Sequence, residues 1–230
     1  MRKIFQILLV LGLFVLAYLC LAYNKEIIKN WTIFSVLILA SVAIFQEPIK
    51  RWWNKPVLVF AYKGTIPFRR ENVQILYDNP QPPQKVFGTY ECFMVENNGR
   101  GSALQCRCQI REVRQNDKSF GCYRGYPLHW ARRPDAEFDP LKAERINIGA
   151  GESEFIDLCY TASSNQNINL QKYHRVPIGI PDFIPPGIYE VELIFSGDNF
   201  RPYFLVFAIN KDTSSDIKGI KVDLLKYWQE

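Results

Sequence analysis

Residues Asn97–Ile110 read NNGRGSALQCRCQI, and the reading of this stretch decides the fold. Gly99-x-Gly101 invites a phosphate loop, and Cys106-x-Cys108 invites a metal or redox site. A phosphate loop needs a helix N-terminus to aim backbone N–H groups at the anion. The residues after Gly101 form a period-two run instead. Leu104, Cys106, Cys108 and Ile110 share one face, while Gln105, Arg107, Gln109 and Arg111 share the other. The third glycine of a dinucleotide fingerprint is absent, as is a Gly-Lys-Ser/Thr ending. A zinc site could draw on Cys92, Cys122, Cys159, His129 or His174, but the Cys-x-x-Cys spacing of a zinc knuckle is missing. The stretch therefore reads as a β-turn feeding a core strand, with its thiols packed as small hydrophobes. No metal and no cofactor is expected.

The same pattern extends in both directions. Strands are predicted over Val57–Tyr62, Asn72–Tyr77, Thr89–Asn97, Ala103–Val113, Glu152–Ala162, Ile188–Phe195 and Tyr203–Asn210, with Gly, Pro and Asn turns between them. In Ile188–Phe195, Tyr189, Val191, Leu193 and Phe195 are expected to face the core. Short strands at this spacing indicate an all-β sandwich. The tail is ambiguous. Ile217, Ile220, Leu224 and Trp228 make one helical face, yet Ile220, Val222 and Leu224 also alternate as in a strand, and Gly219 weakens a helix.

Three of these stretches resemble CARDB-type and related immunoglobulin-like bacterial modules. FMVENNGRGSALQCRCQIREV matches their strand ending in Asn-x-Gly, with Asn97 or Asn98, Gly99, Gly101 and Ala103 in the matching places. INIGAGESEFIDL resembles their Gly-x-Gly turn, and IPPGIYEVELIF their late hairpin strand. The likeness spans about Thr89–Asn210 and implies a fold, not an activity, because such modules serve many roles.

The N-terminus is of another kind. Ile4–Tyr23 and Trp31–Phe45 are apolar runs joined by NKEIIKN. The first reaches about 30 Å as a helix, the thickness of a hydrocarbon core. The second is shorter and is flanked by Lys50, Arg51, Trp52 and Trp53, residues suited to a membrane interface. A cleaved secretory signal is the competing reading of the first run, but the run is long for one and lacks a clean small-x-small site near Leu21–Tyr23.

Charge orients the hairpin. The chain carries +5 overall, all of it within residues 1–55, and the remainder is balanced. The basic residues Arg2, Lys3, Lys50, Arg51 and Lys55 flank the two runs, against Lys25 and Lys29 in the loop. This places both termini in the cytoplasm. It also argues against a broad nucleic-acid-binding face. Five cysteines lie outside the first run, an odd number that fits reduced thiols better than a disulfide framework.

For function, Tyr126–Pro140 (YPLHWARRPDAEFDP) gathers His129, Trp130, Arg132 and Arg133. Arginine beside an aromatic ring suits an anionic or nucleotide-like ligand. The plainer reading makes this stretch a structural insertion, with Trp130 capping the core. His129 with Cys122, and His174 with Asp157 or Asp182, are the only pairings that suggest a nucleophile–base or orienting pair. No nucleophile elbow or phosphate loop accompanies them, so no catalytic residue is assigned and an enzyme is not expected.

The expected architecture is mainly β: an immunoglobulin-like antiparallel β-sandwich preceded by an α-helical transmembrane hairpin. Residues 1–55 form the hairpin and residues 56–212 the sandwich, with an insertion near 114–144. Residues 213–230 form a tail, a short helix or strand. The expected role is a non-catalytic binding or scaffold protein at a bacterial inner membrane, with the bilayer and a protein partner or second copy as its partners. The alternatives are a ligand-sensing membrane effector in stress or phage defence, whose hairpin oligomerises, and an envelope adhesin-like module facing outward.

Overall fold

Asn97 ends strand β3 (Gln84–Asn97) and is fully buried. Its side-chain oxygen accepts from the Gly99 N–H (3.0 Å) and the Val57 N–H (3.2 Å). Its amide nitrogen donates to Gly101 O (2.8 Å) and Ile148 O (3.0 Å). A carboxamide offers two donor hydrogens and two acceptor lone pairs, and here all are used. One side chain thus ties the start of the first strand, the turn and a later strand together. Gly99 and Gly101 serve the same junction. A Cβ on Gly99 would overlap backbone atoms of Lys55 and Val57, and one on Gly101 would overlap the Asn54 carbonyl. The glycines of the opening motif allow two backbones to approach closely.

The computed structural model describes residues 53–77, 84–121, 123–131, 145–162, 165–170, 183–212 and 219–229, with isolated positions 18, 39, 46 and 50. The chain divides into two compact units, Met1–Trp53 and Asn54–Glu230. In the first, positions 18, 39, 46, 50 and 53 are helical. The rest of the predicted hairpin lies outside the described residues. Among the described residues, no helix is long and apolar enough to cross a membrane.

The second unit is mainly β, with two antiparallel sheets. One holds β1 (Leu58–Ala61), β3, β7 (Ser153–Ala162) and β8 (Asn165–Leu170) in that order, with β2 (Arg69–Tyr77) also paired to β3. The other runs β11 (Ile220–Gln229), β10 (Tyr203–Lys211), β9 (Gly187–Ser196), β4 (Ala103–Gln115) and β5 (Lys118–Ser119), with β6 (Ile146–Ile148) also paired to β4. The glycine turn after Asn97 carries the chain from the first sheet to the second.

A core fills the space between the sheets. Phe93 of β3 meets Phe207 of β10 at 4.9 Å between ring centroids, and Phe60 of β1 meets Phe195 of β9 at 5.3 Å. Tyr189, Val191, Leu193 and Phe195 are all fully buried, as their alternation in the sequence predicts. Cys106 and Cys108 are buried free thiols in the same core. Burial pushes the Cys106 thiol up to about 12 and Cys108 higher still, so both stay protonated near neutrality.

Two sequence expectations need correction. Strict alternation predicts Leu104 on the core face of β4, but it is 41% exposed and Ala103 is enclosed instead. The register shifts between Ala103 and Cys106, and Gln105 adopts φ +51°. A bulge there inverts the face of everything before it. Second, Asn165–Leu170 falls in a predicted loop, but it forms β8. Ile168 exchanges two 2.8 Å backbone hydrogen bonds with Ile184. Of the two readings open for the tail, helix or strand, the chain takes the strand, β11, because β10 offers it a paired edge over its whole length. The insertion opens with a tight hairpin. Asn116 and Asp117 both take positive φ between β4 and β5, as a two-residue turn of this hand requires. Residues 132–144 lie outside the described residues.

Candidate interaction surface

The sequence candidates in Tyr126–Pro140 separate. Trp130 is completely enclosed, its ring edge-on to Phe195 at 6.1 Å. It caps the core and presents no face to a ligand. His129 stands beside β7, where its carbonyl accepts from Asp157 N (2.9 Å) and its Nδ1 lies 3.5 Å from Asp157 Oδ2. His129 thus stands beside Asp157, a neighbour that the sequence did not suggest for it. Arg132, Arg133, Cys122, His174 and Asp182 lie outside the described residues, as do Arg51 and Trp52. Lys50 and Trp53 are helical and exposed. Among the described residues, no group of three His, Cys, Asp or Glu side chains could hold a metal ion.

A polar network that the sequence did not reveal lies inside the sandwich. Glu91 of β3 is fully buried. Tyr62 donates its hydroxyl to Glu91 Oε2 at 2.8 Å, and Arg69 Nη1 lies 3.3 Å from Glu91 Oε1. The same Arg69 nitrogen donates to the Ile220 carbonyl at 3.0 Å. Desolvation pushes the Glu91 carboxyl up to about 7, although Tyr62 and Arg69 both favour its ionised form. Burial, and then the neighbouring Glu91 charge, pushes the Tyr62 phenol far above its ordinary range. The network joins the two sheets and holds the first residue of β11.

The other end of β11 is held by rings. Tyr227 faces inward and meets Phe60 edge-on at 5.3 Å. Trp228, on the opposite face, stacks on Phe204 of β10 at 5.4 Å and 20°. The Arg111 guanidinium covers the same Phe204 ring at 4.8 Å from its centroid, and Lys226 Nζ sits 5.5 Å from that of Trp228. Arg111 also donates to Glu192 Oε1 at 2.8 Å. Each aromatic or cation–π contact contributes on the order of 1 kcal/mol.

Between these anchors the strand bulges. Val206 pairs with Lys226 and Phe207 with Leu224, so Leu225 is the extra residue. It is 52% exposed, with Tyr227 41% and Trp228 40% exposed beside it. Among the described residues β11 pairs only with β10. Among the described residues its outer edge has no paired strand, and Leu225, Tyr227 and Trp228 stand partly exposed along it, Tyr227 on the core side and Trp228 on the outer face. An open edge of this kind is a template for another strand. The sequence held the residues in view but not their exposure.

In comparison with known proteins, no family model, no curated protein and no solved structure matches this chain.

Proposed function

We propose that this chain is a non-catalytic binding or scaffold protein. In this reading, an immunoglobulin-like β-sandwich is held at a bacterial inner membrane by the two-helix hairpin of residues 1–55, with both termini cytoplasmic. The sandwich engages a protein through the outer edge of β11. The observation that carries the reading is the displayed edge, where Leu225, Tyr227 and Trp228 stand exposed on a strand fixed at both ends. Exposed apolar clusters on a rigid edge are features of recognition surfaces rather than of solvated ones.

A photo-crosslinking residue at Leu225 tests the edge, in the full chain within intact cells. Adducts at Leu225, and none from the same probe at exposed Lys63, are the expected result. A probe at Leu225 that yields only unmodified chain sinks the reading. The membrane part is tested by alkaline extraction. The full chain should stay with the membrane pellet, and release into the soluble fraction overturns the anchor.

A further inference from the structure

We infer that the occupant of the β11 edge is β11 of a second copy, paired antiparallel about a two-fold axis at Leu224. This rests on the reading of β11 as the interface and names its partner.

Pairing with β10 fixes which way each side chain of β11 points. Lys226 pairs with Val206 and Trp228 with Phe204, so both lie on the outer face of the sheet with the Phe204 ring. Lys221 and Asp223, which alternate with buried Ile220 and Val222, lie there too. Leu224 pairs with the fully buried Phe207, and Tyr227 reaches Phe60, so these face the core side. The bulge at Leu225 lets Leu224 and Tyr227 share a face despite their odd spacing.

Two-fold antiparallel pairing places each residue opposite one on the same face. With the bulged Leu225 passed over, centring on Leu224 sets Asp223 against Lys226, Val222 against Tyr227, and Lys221 against Trp228. Ile220 then meets Gln229. The outer face carries two opposite-charge pairs and two lysine–indole pairs, and the core-side face carries aliphatic–aromatic pairs. Sliding the register to centre on Asp223 opposes the two aspartates, and Lys221 to Lys226. Centring it on Lys226 opposes the two lysines. The register with the longest overlap thus opposes no like charges, whereas both of its neighbours do.

Lysines on an edge strand ordinarily discourage pairing. Here each lysine finds an acidic or aromatic partner, so the same charges select one register of one partner. The six-stranded sheets of two copies become one continuous sheet.

The test uses the full chain carrying Cys20→Ser and Cys122→Ser, with Asp223→Cys on one tagged copy and Lys226→Cys on another. Directly opposed residues place their Cβ atoms about 4.5–5.5 Å apart, within reach of a disulfide after small adjustment. Co-expressed and oxidised, the two should cross-link to each other, and neither should cross-link alone. A second variant guards against lost folding. Asp223→Lys should weaken self-association at least tenfold, and adding Lys226→Asp should restore it. No disulfide in the mixture, or no rescue by the double reversal, overturns the inference. If the Leu225 probe captures a different protein while the disulfide fails, the second copy is refuted and the edge reading stands. If both fail, both fall.

Discussion

β4 and β11 belong to one sheet and are written in similar residues. Both alternate aliphatic side chains with charged or polar ones, and both carry a bulge, at Gln105 in β4 and at Leu225 in β11. Their fates differ. Ala103, Cys106, Cys108 and Ile110 of β4 are enclosed, whereas only Ile220 and Val222 of β11 are buried. β4 has β9 on one side and β5 and β6 on the other, while β11, among the described residues, has β10 alone. The same alternation makes a core strand when neighbours flank it and a displayed edge when one side stays open.

The largest effect should come from the interior strand. Ile110→Ala leaves a cavity in a dense core, and urea unfolding of the sandwich should show a loss of about 2–5 kcal/mol. A loss below about 1 kcal/mol would mean that β4 is not the enclosed member of the pair. The next effect concerns the network that ties the first sheet to β11. Because the Glu91 carboxyl is raised to about 7 when folded, the folded state binds a proton there that the unfolded state releases above its ordinary value. The associated stability is present at low pH and is lost as pH rises toward 7. Glu91→Gln should flatten the fall in stability between about pH 5 and 7, measured as thermal midpoint against pH. An unchanged slope would show that Glu91 does not titrate in this window. The smallest effect should come from the edge. Leu225→Ala, at an exposed bulge, should change unfolding stability by less than about 0.5 kcal/mol. A loss as large as that of Ile110→Ala would erase the contrast between the two strands.

Much of this fold is legible in the residues. The alternation in Ile188–Phe195 names its buried face, and the run after Gly101 excludes a phosphate loop because a strand succeeds the turn. The errors are local. Alternation puts Leu104 on the wrong face because nothing in the sequence marks a bulge at Gln105, whose positive φ is set by pairing with β6 and by the 2.8 Å bond from its N–H to Asn147 Oδ1. β8 is hidden because NQNINL is rich in turn formers, and Ile168 becomes a strand residue only when Ile184 is brought opposite it. Trp130 resembles a ligand-stacking ring because arginines stand near it in the chain, and its burial against Phe195 depends on a contact between distant segments.

The sequence by itself determined the all-β character of the second unit, the turn at Asn97–Gly101 and the inward face of its central strands. These depend on period-two patterning and on the conformational freedom of glycine, which act over a few residues. It also held the charge order of β11 that a two-fold partner would read. Only the tertiary structure decided which strands stand at an edge. It also decided that Glu91, Tyr62 and Arg69 meet inside the sandwich, and that Leu225, Tyr227 and Trp228 stay partly exposed. Those outcomes depend on strand order and register, which are set by packing between residues far apart in the chain.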